Sequence, residues 1–512
     1  MSSAEPLQKS SETFGRDILL LVLAGIFTLG ISLGQEYTWA SREIRHALIA
    51  AEMNESRNFL VPRLLDSDYT YKPPAMHIPV ALLYRTFGTV NLGLARTPSA
   101  LAGLFTALCL YLLARKVYGR SAGLWAGIML LASPGHIMVS RTARPDMLLT
   151  ASLAASCLAL VWALHENGFR RYSIFALAGL AGGFPVLCKG PYGAFFSVVW
   201  VVGAAIFFPI DCPGTKRPSI LEWLLFLFFM PVIPLVWAIP AYQYNNGEYI
   251  KGVLTQYNPG TGAHARSLLG YMVPAFEFLS PWMFFAGCVV NDVRATVRKF
   301  TGGWTQWIAT PPVGLGAFLF AASIFALLSM IPGKRDHYLA PWYPFAILVL
   351  AVSISRRQDV VWFRALTRAL AIFVVLGIPV YFTLVMPNLS SKWQEPNLDR
   401  EYTLKAIRIP ERGALLAITE LEEPLYWQNY SIRAFEPGGK LELLRVSGPI
   451  EGQTWAWPEA ITHALTTGRP CYLVVANKDE DMFFNAPNSP GKELKLDESF
   501  EKKQIRMYRL IK

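Results

Sequence analysis

In the stretch DSDYTYKPPAMHIP, Lys72 stands directly before a double proline and an apolar, helix-like run. A proline fixes its own φ and bars the preceding residue from the helical region, so Pro73 and Pro74 hold Tyr71 and Lys72 extended. A cation presented from such a strut is suited to gripping an anion. Further cations recur in short segments: Arg42 and Arg45 in SREIRH, Arg141 and Arg144 in SRTARPD, and Lys189 in CKGPYG. Two more segments are GAHARS, with His264 and Arg266, and PGKRDHYLAPWYP, with Lys334, Arg335, His337 and Tyr338. Any one of these is accounted for by a long side chain snorkelling to an interface. Converging from several loops, they point to a binding site for an anionic headgroup, since Arg and Lys pair well with phosphate oxygens.

The elements that must position these residues are membrane spans. The chain of 512 residues is 53% hydrophobic and only 16% charged, where a soluble protein carries about a quarter. Stretches such as Ile18–Leu33 and Leu221–Tyr242 are too long and too apolar for ordinary core helices. The pattern predicts an all-α polytopic membrane protein with about 11–13 transmembrane helices over residues 1–387. The spans near 173–188 and 191–208 are short and are expected to be broken or tilted.

The net charge of +11 does not indicate nucleic acid, because the basic residues cluster between hydrophobic spans. With the N-terminus inside, Arg115/Lys116/Arg120, Arg170/Arg171, Lys216/Arg217, Arg294/Arg298/Lys299 and Arg356/Arg357/Arg364 all fall on inner loops, as the positive-inside rule requires. The cationic segments above then lie outside. The long first outer loop, 35–94, should hold two interfacial helices, SREIRHALIAAEMNESRN and AMHIPVALLYRTFG. From residue 388 the character changes: GALLAITE, CYLVVAN and IRMYRLI read as strands, so residues 388–512 are expected to form a small extracytoplasmic α/β domain. The six cysteines show no paired spacing, which suggests neither a disulfide framework nor a zinc site.

REIRHALIAAEMNESRNFLVPRL followed by YKPPAMHIPVALLYRTFG resembles the first outer loop of GT-C glycosyltransferases, in the branch of aminoarabinose transferases and protein O-mannosyltransferases. CKGPYG, HARSLLGYMVPAFEFLSPW and GKRDHYLAPWYPFAILVLA resemble later segments of that family, in order, over about residues 17–387. The resemblance implies transfer of one sugar from a polyprenyl-phosphate carrier to a lipid A-like lipid, a glycan or a protein. It places this on the outer face of a bacterial inner membrane. It also implies that Lys72, Lys189, Arg266, Lys334 and Arg335 grip the carrier phosphate, where fixed cations stabilise the charge that develops on departure.

The chain departs from the family pattern at two acidic positions, which are Arg42 and Tyr71 here. Of the remaining outer acids, Glu43 matches the second acidic position of the pattern and is the first candidate to orient or activate the acceptor. Its alternative is an ion pair with Arg42, Arg45 or a neighbouring loop. Asp146 fits a family aspartate and equally fits an N-cap. Glu36, at the end of the first span, is a third candidate. No HExxH or Asp-x-Asp stands on the outer segments, so a divalent ion would need carboxylates brought from separate loops. Two competing readings are a homologue that binds or presents polyprenyl phosphates without transferring sugar, and a secondary transporter. The latter is disfavoured by the absence of matching halves and by groups lying away from the midplane.

Overall fold

The structure is a computed structural model. It describes residues 5–35, 42–64, 67–255, 267–298, 313–331 and 333–385, and in the C-terminal part 414–419, 441–446, 457, 459–476, 480, 483–484, 489–500 and 503–511.

The chain enters with α1 (Glu5–Gly25), extended by a π-helical turn to Gly30. The outer loop folds as α2 (Arg42–Ser56), a two-residue hairpin of β1 (Arg63–Leu64) and β2 (Ser67–Asp68), and α3 (His77–Phe87). Both expected loop helices form, but α2 does not lie with one face open. Ile44, Ala47, Leu48, Ile49, Ala50, Ala51 and Met53 are all buried, and so are Glu43, His46 and Glu52. Its run of alanines permits close approach by the neighbouring helices, so the loop packs as a small core of its own.

Next come α4 (Leu92–Tyr118), α5 (Arg120–Leu131), α6 (Pro134–Ser140), α7 (Asp146–Leu164), α8 (Gly168–Lys189) and α9 (Pro191–Asp211). α4 starts at Asn91, whose side-chain oxygen accepts from Leu94 N–H at 2.9 Å, satisfying one orphan donor of its first turn. α5 and α6 form one bent unit, turned by 62° where Pro134 lacks the N–H that would continue the helix. α8 and α9 run unbroken for 22 and 21 residues, longer than the sequence pattern suggested.

Beyond them lie α10 (Ile220–Phe229), α11 (Val232–Tyr244), α12 (Glu248–Thr255), α13 (Met272–Leu279), α14 (Ala286–Arg298), α15 (Leu315–Met330), α16 (Tyr343–Ser355) and α17 (Val361–Val380). α10 opens on a capping box in which Ser219 and Glu222 satisfy each other's backbone donors. Among the described residues, seven helices are long and apolar enough to cross a membrane, or nine if each bent pair is one span. Two shorter apolar helices, α15 and α16, accompany them. The chain is a multi-pass membrane protein.

The basic clusters gather at one end. Asp17 takes Arg120 at 2.6 Å and Arg115 at 3.1 Å, Arg171 is bonded to Glu222, and Arg357 meets Asp292 at 2.6 Å. Asp211, at the end of α9, accepts from Tyr118 Oη at 2.5 Å and from the Gly314 and Ala317 amides. Nineteen residues of α4 separate Arg96 from Arg115, about 28 Å at 1.5 Å per residue, close to the thickness of a hydrocarbon layer of about 30 Å.

In the C-terminal part, β3 (Ala414–Thr419), β4 (Leu441–Val446), β5 (Cys471–Ala476), β6 (Gly491–Phe500) and β7 (Lys503–Ile511) form one sheet in the order β4-β3-β5-β7-β6. β3 runs parallel to β4 and β5, while β7 is antiparallel to β5 and β6. α18 (Glu459–Thr466) packs Ile461 and Ala464 onto Leu415 and Leu473. The expected α/β character is thus present; the boundary drawn at 387/388 lies outside the described residues.

Candidate active site

The end of the bundle opposite Arg115 and Arg120 holds a cavity of about 200 Å³. Lys72, Arg144, Lys189 and Arg335 line it with one carboxylate, Asp146. His46, His337 and Tyr338 complete its polar wall, Tyr192 and Phe196 its aromatic floor, and Tyr71 stands at the mouth with an exposed ring.

Each cation is placed by a local device. The segment carrying Lys72 is tied down on both sides: its own carbonyl accepts from Tyr249 Oη at 3.2 Å, and the Ala75 amide donates to the Leu187 carbonyl. Tyr71 and Lys72 lie in a turn and a bend rather than in the extended stretch expected, and the segment after the double proline docks on the last turn of α8, two residues before Lys189. Lys189 ends that helix. Gly190 turns the chain at φ +56, and Pro191 starts α9 at a position where a missing N–H costs nothing. A Cβ at Gly193 would lie 1.9 Å from the Pro185 carbonyl oxygen, so only glycine lets α8 and α9 close this tightly. The CKGPYG motif is thus a hinge between two spans with its lysine aimed at the cavity.

Asp146 is the first residue of α7 and is buried. Its Oδ1 lies 2.5 Å from Lys189 Nζ, and Lys189 Nζ also sits 4.7 Å over the Tyr338 ring. Arg144 enters from the turn ahead of α7, held where Ser99 Oγ donates to its carbonyl at 3.0 Å. Arg335 and His337 come from the short turn before α16, braced by Tyr271 Oη donating to the Arg335 carbonyl and Tyr343 Oη to that of Asp336.

Glu43 is not in the cavity. It is fully buried and takes the Arg96 guanidinium through both oxygens, at 2.8 and 3.0 Å, and the Ala143 amide at 2.8 Å. Arg96 fills its remaining valences with the Leu33 and Gln35 carbonyls. The ion-pair alternative therefore describes its contacts, with Arg96 of α4 as partner rather than Arg42 or Arg45. An arginine one turn into an apolar span must be paired, and this requirement claims the carboxylate. Lys334 also lies off the cavity wall: its ammonium donates to the Ile331 carbonyl at 2.8 Å. Arg45 sits behind, with its guanidinium 5.8 Å from the Tyr69 ring centre. Glu36, His264 and Arg266 fall outside the described residues.

Packing against the cavity leaves its ionisable groups far from solution behaviour. Burial pushes the Lys72 ammonium down to about 7; Asp146 opposes this and Lys189, Arg144 and Arg45 add to it. His337 is lowered to about 3, by burial first, with Asp146 working against the shift. His46 Nδ1 lies 2.9 Å from His77 Nε2. Burial and then the Lys72 charge hold both of these imidazoles neutral, His77 down to about 3. The three histidines are therefore neutral at physiological pH. No group of three or more candidate metal ligands occurs among the described residues. Such a cavity is built for an oxyanion, with a carboxylate next to it.

Tyr192 and the Arg96 brace were not singled out as site residues from sequence. Tyr192 stood inside the quoted CKGPYG motif, and Arg96 was conspicuous as a charge within an apolar run.

A family model described as dolichyl-phosphate-mannose-protein mannosyltransferase matches residues 71–237, the stretch that carries Lys72, Arg144, Asp146 and Lys189. An undecaprenyl phosphate-alpha-4-amino-4-deoxy-L-arabinose arabinosyl transferase of Shewanella sediminis is 25% identical over 341 residues, covering 64% of this chain and 58% of its own. A second protein of that description, from Pseudomonas fluorescens Pf0-1, is 26% identical over 91% of this chain and 78% of its own. The crystal structure of ArnT from Cupriavidus metallidurans superposes with a TM-score of 0.68 over 98% of both chains, at 17% identity. The chain has the fold of ArnT. ArnT from the same organism bound to undecaprenyl phosphate gives a TM-score of 0.66 at 16% identity, over 97% of this chain and 98% of that one. The first two curated relatives are matched over 58% and 60% of their length.

Proposed function

We propose that the protein transfers a single sugar from a polyprenyl-phosphate-linked donor to an acceptor at the outer face of a bacterial inner membrane. The observation that carries this is a carboxylate, Asp146, in the same cavity as Lys72 and three further cations. Cations alone would suit a protein that only binds the carrier; an acid among them supplies what transfer also needs.

In this reading Lys72, Arg144, Lys189 and Arg335 hold the carrier phosphate. The acceptor oxygen attacks the anomeric carbon, the bond from that carbon to the phosphate oxygen breaks, and its electron pair returns to the phosphate. The fixed cations favour this because charge grows on the leaving oxygen, and one such contact is worth about 10²–10³ in rate. Asp146 orients the acceptor and receives its proton when the acceptor is a hydroxyl. An acceptor that is already a phosphate anion needs no base. Glu43 is reassigned from acceptor chemistry to positioning: through Ala143 it fixes the turn that carries Arg144 and Asp146. Arg45 adds to the positive field, and Lys334 secures the chain just before Arg335. Arg266 keeps the phosphate-binding role that the resemblance implied, with His264 beside it in the same cationic segment.

The orientation that follows has the N-terminus and the basic loops in the cytoplasm, and residues 388–512 as an extracytoplasmic α/β domain beside the cavity's end. The donor named for the curated relatives, undecaprenyl phosphate-linked 4-amino-4-deoxy-L-arabinose, is the first to offer, with lipid A-like lipid, glycan and protein acceptors. The test is radiolabelled transfer from membrane-extracted polyprenyl-phosphate donors by wild type, Lys72→Ala and Asp146→Asn. Transfer by wild type, with rates down about a hundredfold in both variants, supports the proposal. Carrier binding without any transfer by wild type would leave a binding protein.

A further inference from the structure

At the far end of the bundle from the cavity lies a larger, open groove of about 730 Å³ between α1, α5 and α17. Its three walls are helical stripes. α5 contributes Leu124, Trp125 and Ile128, and α17 contributes Ala371, Ile372, Val375 and Leu376. Leu20 and Ala24 of α1 form the back. Residues spaced three and four apart share one face of a helix, so each stripe is continuous along its axis. Leu20, Ile372 and Leu376 expose their side chains, which opens the groove to the hydrocarbon side.

Polar groups line it at one end only. Arg120 and Ser121 open α5, and Arg368 with Gln358 stand level with them. Arg120 to Ile128, like Arg368 to Leu376, spans eight residues, about 12 Å of helix. Asp17 already holds Arg120 through Nε and Nη2, at 2.7 and 2.6 Å, and is shared with Arg115. One carboxylate therefore faces two guanidinium groups, and the third, Arg368, has no hydrogen bond or ion pair among the described residues. The chain turns at Gly119 between α4 and α5, and in the proposed orientation such a turn between two spans lies at headgroup depth. An apolar trough with a net positive head end at that depth has the charge and shape of one amphiphile.

We propose that the groove between α1, α5 and α17 binds an anionic glycerophospholipid, with an acyl chain along the trough and the phosphate at Arg120 and Arg368. In the proposed orientation this lipid belongs to the cytoplasmic leaflet, and the site is independent of the cavity around Lys72. Anchored there, it would fasten the first span to α17, two helices that close the bundle's side.

The test is native mass spectrometry of the full chain in a neutral detergent, titrated with phosphatidylglycerol or with phosphatidylcholine of the same acyl chains. Phosphatidylglycerol should be retained at about a tenfold lower concentration, the discrimination expected of a charge-assisted contact. Arg368→Ala, at an exposed position, should erase that preference; Leu124→Trp, which fills the trough, should weaken both lipids. Undecaprenyl phosphate titrated separately should bind both variants as it binds wild type, which shows that the fold and the cavity are intact. Equal retention of the two lipids, or an unchanged preference in Arg368→Ala, would overturn the proposal. So would displacement of phosphatidylglycerol by undecaprenyl phosphate in a Lys72→Ala background, since the trough would then be part of the carrier's own site.

Discussion

Lys72 is a cation whose charge the protein itself suppresses. Burial brings it down to about 7, so in the empty cavity about half of the molecules carry the charge at that pH. A phosphate that needs the ammonium must bind the charged half or bring a proton with it. Binding is then linked to proton uptake, and affinity falls as pH rises through the depressed value. With a single site at about 7, the charged fraction drops from about one half at pH 7 to about 3% at pH 8.5, a loss of about sixteenfold, or about 1.6 kcal/mol. The ligand must not titrate in this window, so a short-chain polyprenyl phosphodiester, of fixed charge, is the right probe. Calorimetric or fluorescence titration between pH 6.5 and 8.5 should show this decline for wild type. Lys72→Arg should bind with a flat profile, because a guanidinium stays charged throughout. Lys72→Ala should bind weakly and without slope. A flat wild-type profile, or the same slope in Lys72→Ala, would refute the reasoning.

Three further outcomes follow from the geometry. Asp146→Asn removes the one carboxylate on the cavity wall among the described residues, so carrier phosphate should bind more tightly while transfer falls about a hundredfold. Because Asp146 raises the Lys72 value, its loss should also move the pH dependence of carrier binding to lower pH. Glu43→Ala strands the buried Arg96 guanidinium and frees the Ala143 turn. It should cost on the order of 3–5 kcal/mol, seen as a lowered Tm in detergent, and Glu43→Gln, which keeps an acceptor oxygen, should lose less. Gly193→Ala forces a methyl group into the Pro185 carbonyl; overpacking against backbone costs about 1–3 kcal/mol or more, so folded yield should drop, as size-exclusion chromatography would show.

What the sequence made legible were features with a local cause. The lysine, glycine and proline of CKGPYG spell a helix end, a turn and a helix start. Hydrophobic runs gave the spans, and alternation gave three of the five C-terminal strands; β4, LELLRV, and β6, GKELKLDESF, carry too little apolar alternation to stand out. The sequence left Glu43 between acceptor chemistry and an ion pair, because its partner is Arg96, 53 residues away, on a face of α4 that REIRH does not specify. The burial of α2 was missed for a related reason: alanines look neutral in a surface pattern, and only the arrival of α3 and α4 turns them into contact points.

The Glu43, Arg96 and Ala143 brace also decides which parts of this chain can be exchanged. It staples a loop helix, the span after it and the turn ahead of α7 across 100 residues of sequence. A chimera that swaps only the first outer loop with a relative's would split the staple and misplace Arg144 and Asp146, even if every residue facing the acceptor were correct. Transplants that move residues 42–146 as one block should keep their cavity. Diversification of acceptor choice is then expected to travel in blocks of that size rather than loop by loop.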